Sequence, residues 1–140
     1  MITRFNIFES LRDKMTPISG EDFTERLKRT KTDEELRHFM YLTDSLGEFL
    51  DNNDMEYTVN FREVSDLGRK KRVVTAFYSI EKSKSLQDHI YPREAHIYVN
   101  EYEIRLELWS GQTFDILKPK DLEQLEYLLV EQGFVMNENQ

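Results

Sequence analysis

The segment between Asp88 and His96 holds the residues best suited to chemistry in this sequence. It reads DHIYPREAH and contains two of the three histidines of the chain together with two carboxylates. Such side chains can coordinate zinc or another divalent cation, but their spacing matches no metal-binding pattern, and we predict neither a metal nor a cofactor. An alternative is a pocket for a small molecule or a nucleotide, with the candidate residues His89, Arg93, His96 and Tyr98.

A run of four basic residues is the second feature that could bind a ligand. It could contact phosphate groups, and its members are Arg69, Lys70, Lys71 and Arg72. A surface that binds single-stranded nucleic acid combines such charges with aromatic side chains, and none alternates with this run. A solvated hairpin tip is the competing interpretation. Phosphate contact stays open as a further alternative, and we do not expect the chain to bind nucleic acid directly.

Negative charge is concentrated near the end of the chain. The whole sequence has a net charge of −8, and residues 101–140 hold three basic and nine acidic side chains, a net charge of −6. A surface of this sign repels nucleic acid and attracts a basic partner, although it can equally serve solubility. The candidate partner-binding residues are Glu101, Glu103, Glu107, Trp109, Glu123 and Glu126. Trp109 is either an exposed anchor of this surface or a core residue covered by helices.

No motif in the sequence indicates an enzyme. The P-loop, the dinucleotide fingerprint, His-Glu-x-x-His and Gly-x-Ser-x-Gly are all absent. The chain has no cysteine, which excludes a thiolate nucleophile, a disulfide and a zinc–thiolate site. Glu103 and Glu107 could act as paired carboxylates in acid–base catalysis, but Arg105 lies between them on the same strand face and would keep both ionised. We therefore predict no catalytic residues.

Apolar residues at helical spacing dominate the first third of the chain. They predict short helices over 5–15 and 19–27 and a long helix over 32–51. The long helix begins with a capping box, in which the side chains of Thr32 and Glu35 each accept a hydrogen bond from the backbone N–H of the other. Its predicted apolar stripe consists of Leu36, Phe39, Met40, Thr43, Leu46 and Leu50.

Apolar residues then recur at every second position, which is typical of strands. Five strands are predicted, over 57–62, 72–80, 95–99, 102–109 and 113–117. A closing helix follows from Pro119, a favourable first helical residue, to Gly133, a favourable C′ residue, and residues 137–140 should fray. We predict one α+β domain over 1–140, with three N-terminal helices, a five-stranded mainly antiparallel meander sheet and a closing C-terminal helix.

Composition and length indicate a folded acidic domain. With 140 residues, 39% apolar and 33% charged, the chain is too apolar for a disordered protein and too charged for a membrane protein. We expect a non-enzymatic protein-binding module in the cytoplasm, a small inhibitor or regulator of a basic partner. If that partner itself binds nucleic acid, the acidic face would occupy its phosphate sites, and the chain would be a competitive inhibitor or DNA mimic. Phage-encoded inhibitors such as anti-CRISPR proteins, and immunity proteins, share this profile of size and charge, and no motif links the chain to them. A homodimer through the helix over 32–51 or through an open sheet edge is a further alternative.

Overall fold

The computed structural model describes residues 27–65, 72–81 and 94–135. Within these ranges, the segment with apolar residues at helical spacing forms a long helix, the segments with alternating apolar residues form one sheet, and a shorter helix follows the sheet. After a helical turn at 27–30, the elements in chain order are α1 (Asp33–Asn52), β1 (Tyr57–Ser65), β2 (Arg72–Glu81), β3 (Glu94–Val99), β4 (Glu103–Leu108), β5 (Thr113–Leu117) and α2 (Glu123–Glu131). The predicted α+β class is confirmed. No helix in the described ranges has the length and apolar character needed to cross a membrane.

Several predicted features lie outside the described residues. They are the helix over 5–15, all but the last residue of the helix over 19–27, the basic residues 69–71, the histidine-containing loop up to residue 93, and the tail over 137–140. The number of helices ahead of α1 therefore stays a prediction. The assignment of all 140 residues to one domain stays a prediction as well.

The capping box at the start of α1 forms as predicted. The Glu35 N–H donates to Thr32 Oγ1 over 3.1 Å, and the Thr32 N–H donates to Glu35 Oε1 over 2.8 Å. The buried residues of α1 are Phe39, Leu42, Thr43, Leu46, Gly47 and Leu50. The placement of Met40 in the buried stripe is wrong, because Met40 is exposed. It follows Phe39 by one residue and is therefore rotated by about 100° away from the buried side of the helix.

The five strands form one antiparallel meander in the order β1-β2-β3-β4-β5, which confirms the predicted sheet. The predicted bounds of β5 are also correct. A tight turn joins β3 to β4, and the Asn100 N–H closes it by donating to the Glu103 carbonyl over 3.0 Å. Because each strand pairs with the next one along the chain, β1 and β5 are the edges of this sheet.

The sheet has an inner face that packs against both helices. Its buried inner-face residues are Val59, Phe61, Val74, Ala76, Tyr78, Ile80, Ala95, Ile97, Val99, Ile104, Leu106 and Ile116. They share one hydrophobic core with side chains of α1 and α2, such as Leu46 and Leu125. The alternate residues of each strand occupy the outer face, which therefore points away from both helices.

The start of α2 differs from the prediction. The helix begins at Glu123 and not at Pro119. In a helix that began at Pro119, the Pro119 carbonyl would accept a hydrogen bond from the Glu123 N–H. Instead that carbonyl is 2.5 Å from Nε2 of His38 on α1, and the Glu123 N–H donates to Asp121 Oδ1 over 3.0 Å. A contact between distant parts of the chain thus delays the helix by four residues.

The end of α2 is closed by a Schellman motif at Gly133. The Phe134 N–H donates to the Leu129 carbonyl over 2.8 Å, and the Gly133 N–H donates to the Val130 carbonyl over 3.0 Å. Gly133 has a φ of 80°, in the left-handed region. The buried side chains of Leu129 and Phe134 accompany the motif. The prediction of Gly133 as the C′ residue is confirmed.

Gly133→Ala is expected to lower the free energy of unfolding by about 1 kcal/mol, because a Cβ is unfavourable at this backbone conformation. Urea denaturation measures the change. Gln124→Ala, at an exposed position of α2, is the control, and it should change the free energy of unfolding by less than about 0.5 kcal/mol. Equal stabilities of Gly133→Ala and the wild type would contradict the role of this glycine.

Candidate binding surfaces

Glu101 lies in a buried ion pair and not on an exposed acidic surface. Its Oε1 is 2.5 Å from Lys31 Nζ, and the side chains of Glu101 and Lys31 are 5% and 2% exposed. Lys31 Nζ also donates to the Val74 carbonyl over 3.1 Å and lies 4.6 Å from the centroid of the Phe39 ring. These contacts hold the turn after β3 against the start of α1. A partner in solution cannot reach Glu101, so Glu101 leaves the predicted partner-binding set.

Glu103 is also buried, although strand alternation places it on the outer face of β4. Its N–H donates to Asn100 Oδ1 over 2.9 Å, and Asn100 Nδ2 donates to Thr75 Oγ1 over 3.0 Å. Asn100 and Thr75 are buried as well. This end of the outer face is therefore not open to a partner, and Glu103 leaves the predicted set for the same reason as Glu101.

The other end of β4 is open and carries Glu107 and Trp109. Glu107 Oε1 lies 3.5 Å from His96 Nδ1, and both side chains are partly exposed. Trp109 follows β4 in the turn to β5 and is 74% exposed. Of the two interpretations of Trp109, exposure is therefore correct and burial in the core is wrong.

Helix α2 presents further acidic side chains to solvent. Glu123, Tyr127 and Glu131 follow one another at intervals of four residues, which places them on one side of the helix, and all three are exposed. Tyr127 is 66% exposed, which is unusual for a large aromatic side chain. Asp121 and Glu126 lie beside this stripe. We call these five residues the acidic helix surface.

The carboxylates of the acidic helix surface repel one another. Partial burial raises the pKa of Glu126, and the charges of Asp121 and Glu123 raise it further. The folded state therefore holds the Glu126 proton more tightly than the unfolded chain does. The resulting stabilisation is present at acid pH and is lost as the pH rises through the raised pKa. At neutral pH this group of carboxylates costs stability.

Glu126→Gln is expected to stabilise the fold slightly at neutral pH, because it removes the charge of a partly buried carboxylate that Asp121 and Glu123 repel. The gain should be about 0.3 kcal/mol, after discounting for the solvent screening of a half-buried group. It should vanish near pH 3, where the carboxyl group is mostly protonated in both states. Paired thermal unfolding curves at the two pH values measure it. A gain of the same size at both would contradict the electrostatic explanation.

The predicted partner-binding residues that remain exposed do not share one face. Glu107 lies on the outer face of the sheet, and Trp109 lies at the end of the β4–β5 hairpin. Glu123 and Glu126 lie on α2, whose buried side chains pack with those of the inner face. A single partner-binding surface therefore cannot be assembled as predicted from the sequence.

A separate group of side chains surrounds Phe77 on the outer face. The guanidinium carbon of Arg62 lies 4.2 Å from the centroid of the Phe77 ring. The ring centroids of His96 and Tyr98 lie 5.0 Å and 4.9 Å from that of Phe77. Arg105 on β4 is directly opposite Tyr98 in the register. We call Arg62, Phe77, His96, Tyr98 and Arg105 the outer-face cluster.

Comparison of the chain with models of protein families, with curated proteins and with solved structures finds no match. The roles of its residues therefore rest on their own chemistry and surroundings. Three surfaces stand out from these surroundings: the acidic helix surface, the open end of β4 and the outer-face cluster.

Two of the four predicted pocket residues come together in the structure. His96 and Tyr98 lie two residues apart on β3 and point to the same face, whereas His89 and Arg93 lie outside the described residues. Of the basic run, only Arg72 belongs to a described element, as the first residue of β2. Among the described residues, no group of three or more His, Asp or Glu side chains could hold a metal ion.

Three residues of the outer-face cluster escaped the sequence prediction. Arg62, Phe77 and Arg105 come from three different strands, and their proximity depends on the pairing of Phe61 with Ala76 and of Tyr98 with Arg105. Strand alternation places each of them on a face of its own strand. It does not show which residues of neighbouring strands stand side by side.

Proposed function

We propose that this chain is a non-enzymatic protein-binding module that recognises a basic partner protein through its acidic helix surface. The observation that carries the proposal is the exposed ring of Tyr127, flanked by Glu123 and Glu131 on the same side of α2. Exposed aromatic residues surrounded by polar groups are typical anchors of protein interfaces. The acidic neighbours favour a partner of opposite charge.

Two effects would contribute to binding: electrostatic attraction by the carboxylates and burial of the Tyr127 ring. The carboxylates attract a basic partner over a range set by the salt concentration. The Tyr127 ring then loses its contact with water, and its hydroxyl keeps a polar contact at the edge of the interface. Partial burial and the charges of Asp121 and Glu123 raise the pKa of Glu126, and approaching cationic side chains relieve the part that arises from charge repulsion. Binding thus recovers stability that the free protein lacks.

The chemistry of the partner follows from the same surface. Carboxylates spaced along one side of a helix present a row of negative charges, as a nucleic-acid backbone does. A partner that binds nucleic acid would meet these carboxylates at its phosphate-binding side chains. The proposal therefore includes competitive inhibition of such a partner, in the cytoplasm, with no nucleic acid bound by this chain itself.

Affinity capture with matched charge variants tests the proposal. The wild type is compared with Glu123→Lys/Glu131→Lys and with the control Glu34→Lys/Glu94→Lys, which reverses the same number of exposed carboxylates elsewhere. We expect one basic protein to be retained by the wild type and the control at about 0.1 M salt, weakened at about 0.5 M, and lost with the α2 variant. Equal retention by all three proteins would contradict the proposal.

Tyr127→Ala is expected to weaken the captured complex by about 30-fold or more, because truncation of an aromatic anchor costs about 2 kcal/mol. The loss should persist at high salt, since it arises from apolar contact and not from charge. Isothermal titration with the captured partner measures it. Tyr41→Ala, which removes an exposed tyrosine of α1, is the control and should leave the affinity unchanged. Equal affinities of Tyr127→Ala and the wild type would exclude Tyr127 as the anchor.

A further inference from the structure

The outer-face cluster holds a cation over an aromatic ring. The guanidinium carbon of Arg62 lies 4.2 Å from the centroid of the Phe77 ring, and Phe77 is itself buried. Arg62 remains exposed. No carboxylate of the described residues forms an ion pair with Arg62. A guanidinium offers its N–H groups as a fork that fits a phosphate or carboxylate.

Two further hydrogen-bond donors, the Tyr98 hydroxyl and the Arg105 guanidinium, lie on the same part of the outer face. Tyr98 lies between Phe77 and Arg105 in the register of the sheet. Burial, the largest effect, and the charge of Glu107 raise the pKa of Tyr98, whereas Arg62 and Arg105 oppose that rise, so the Tyr98 hydroxyl is protonated at neutral pH and lies within range of both cations. It can donate a hydrogen bond to an anion.

The acidic residues of this area already have basic neighbours. Asp115 Oδ1 accepts a hydrogen bond from Arg105 Nε over 2.7 Å, and Glu107 lies beside His96. The terminal amino groups of Arg105 make no hydrogen bond to the described residues. An approaching anion therefore meets the Arg62 guanidinium, the Tyr98 hydroxyl and the terminal amino groups of Arg105, whose Nε is held by Asp115.

We propose that the outer-face cluster binds a small anionic ligand that carries an aromatic ring, of the nucleotide class. The phosphate is held by Arg62, the Tyr98 hydroxyl and the terminal amino groups of Arg105. The base stacks on the exposed guanidinium of Arg62, since guanidinium groups stack on aromatic rings. The net charge of −8 opposes a long polyanion and permits a ligand with one phosphate.

This site is independent of the acidic helix surface. It lies on the outer face, whereas α2 packs with the inner face. The two proposals use no residue in common, so variants of one surface leave the other unchanged. Either proposal can fail while the other holds.

Titration of isotope-labelled protein with adenosine monophosphate, followed by NMR, tests the site. Saturable shifts are expected at the backbone amides of Arg62, Phe77 and Tyr98, with a dissociation constant in about the millimolar range or below. Inorganic phosphate should bind at least about threefold more weakly, because it lacks the stacking ring. Equal affinity for phosphate and nucleotide would overturn the aromatic part of the proposal. Absence of saturable shifts on the outer face would overturn it entirely.

Variants of Arg62 separate binding from folding. Arg62→Ala should weaken nucleotide binding by about tenfold or more, and Arg62→Lys should recover only part of the loss, because lysine has no planar fork. Arg37→Ala removes an exposed arginine of α1 and should bind as the wild type does. Circular dichroism confirms that each variant is folded. Wild-type affinity in Arg62→Lys would overturn the proposed geometry, and far tighter binding of a single-stranded oligonucleotide than of the monophosphate would overturn the choice of a small ligand.

Discussion

Glu101→Gln should lower the free energy of unfolding by about 3 kcal/mol or more. The substitution leaves the Lys31 ammonium buried without its carboxylate partner, and breaking a buried ion pair from one side costs about 3–5 kcal/mol. Lys31→Met should cost a similar amount, because it leaves the Glu101 carboxylate buried. Urea denaturation followed by circular dichroism measures both changes.

The double variant Lys31→Met/Glu101→Gln distinguishes the ion pair from simple loss of packing. Its cost should be clearly smaller than the sum of the two single costs, because neither charge is left alone. Glu123→Gln on the exposed side of α2 should change stability by less than about 0.5 kcal/mol. A loss of less than about 1 kcal/mol for Glu101→Gln would show that Glu101 behaves as a surface carboxylate, as the sequence alone suggests.

Asn100→Ala is the second substitution with a large expected effect. The Asn100 side chain accepts hydrogen bonds from the N–H groups of Tyr102 and Glu103 over 2.8 Å and 2.9 Å, and it donates to Thr75 Oγ1 over 3.0 Å. Asn100 is buried, so its loss leaves polar groups in the turn without these partners. We expect the free energy of unfolding to fall by about 2–4 kcal/mol.

A matched asparagine provides the control for this prediction. Asn52 is exposed at the last residue of α1, and Asn52→Ala should change the free energy of unfolding by less than about 0.5 kcal/mol. The comparison uses the same denaturation measurement as above. Similar stabilities of the Asn100 and Asn52 variants would contradict the assigned role of Asn100 in the β3–β4 turn.

Local sequence patterns correctly predict the bounds of several elements among the described residues. The capping box of Thr32 and Glu35 predicts the start of α1, because both hydrogen bonds join residues three positions apart. Gly133 predicts the end of α2 for a similarly local reason. The bounds of β5 follow from alternation between two short turns. In each case the deciding contacts are close in sequence.

Contacts between residues far apart in the sequence account for the features that the sequence predicted wrongly or did not predict. The Pro119 carbonyl meets His38, 81 residues away, and this contact displaces the start of α2. Glu101 meets Lys31, 70 residues away, and becomes buried although its spacing suggests an exposed turn. The stacking of Arg62 on Phe77 depends on strand register. No local sequence pattern predicts any of these three contacts.

The distribution of charge over the fold carries the functional argument. Composition predicts an acidic surface in the last third of the chain, and two of its predicted members, Glu101 and Glu103, are buried. The acidity that remains exposed on α2 surrounds Tyr127, which the sequence did not single out. The central claim is therefore that α2, and not the outer face of the sheet, is where a basic protein binds.

Site-specific photo-crosslinking tests that claim most directly. A photoreactive phenylalanine analogue is placed at position 127 in one protein and at position 58 in another, because Thr58 is exposed on the outer face. The proteins are irradiated with the captured basic partner under the same conditions. We predict a crosslink from position 127 and none from position 58. A crosslink from position 58 with none from position 127 would contradict the claim and place the partner on the outer face.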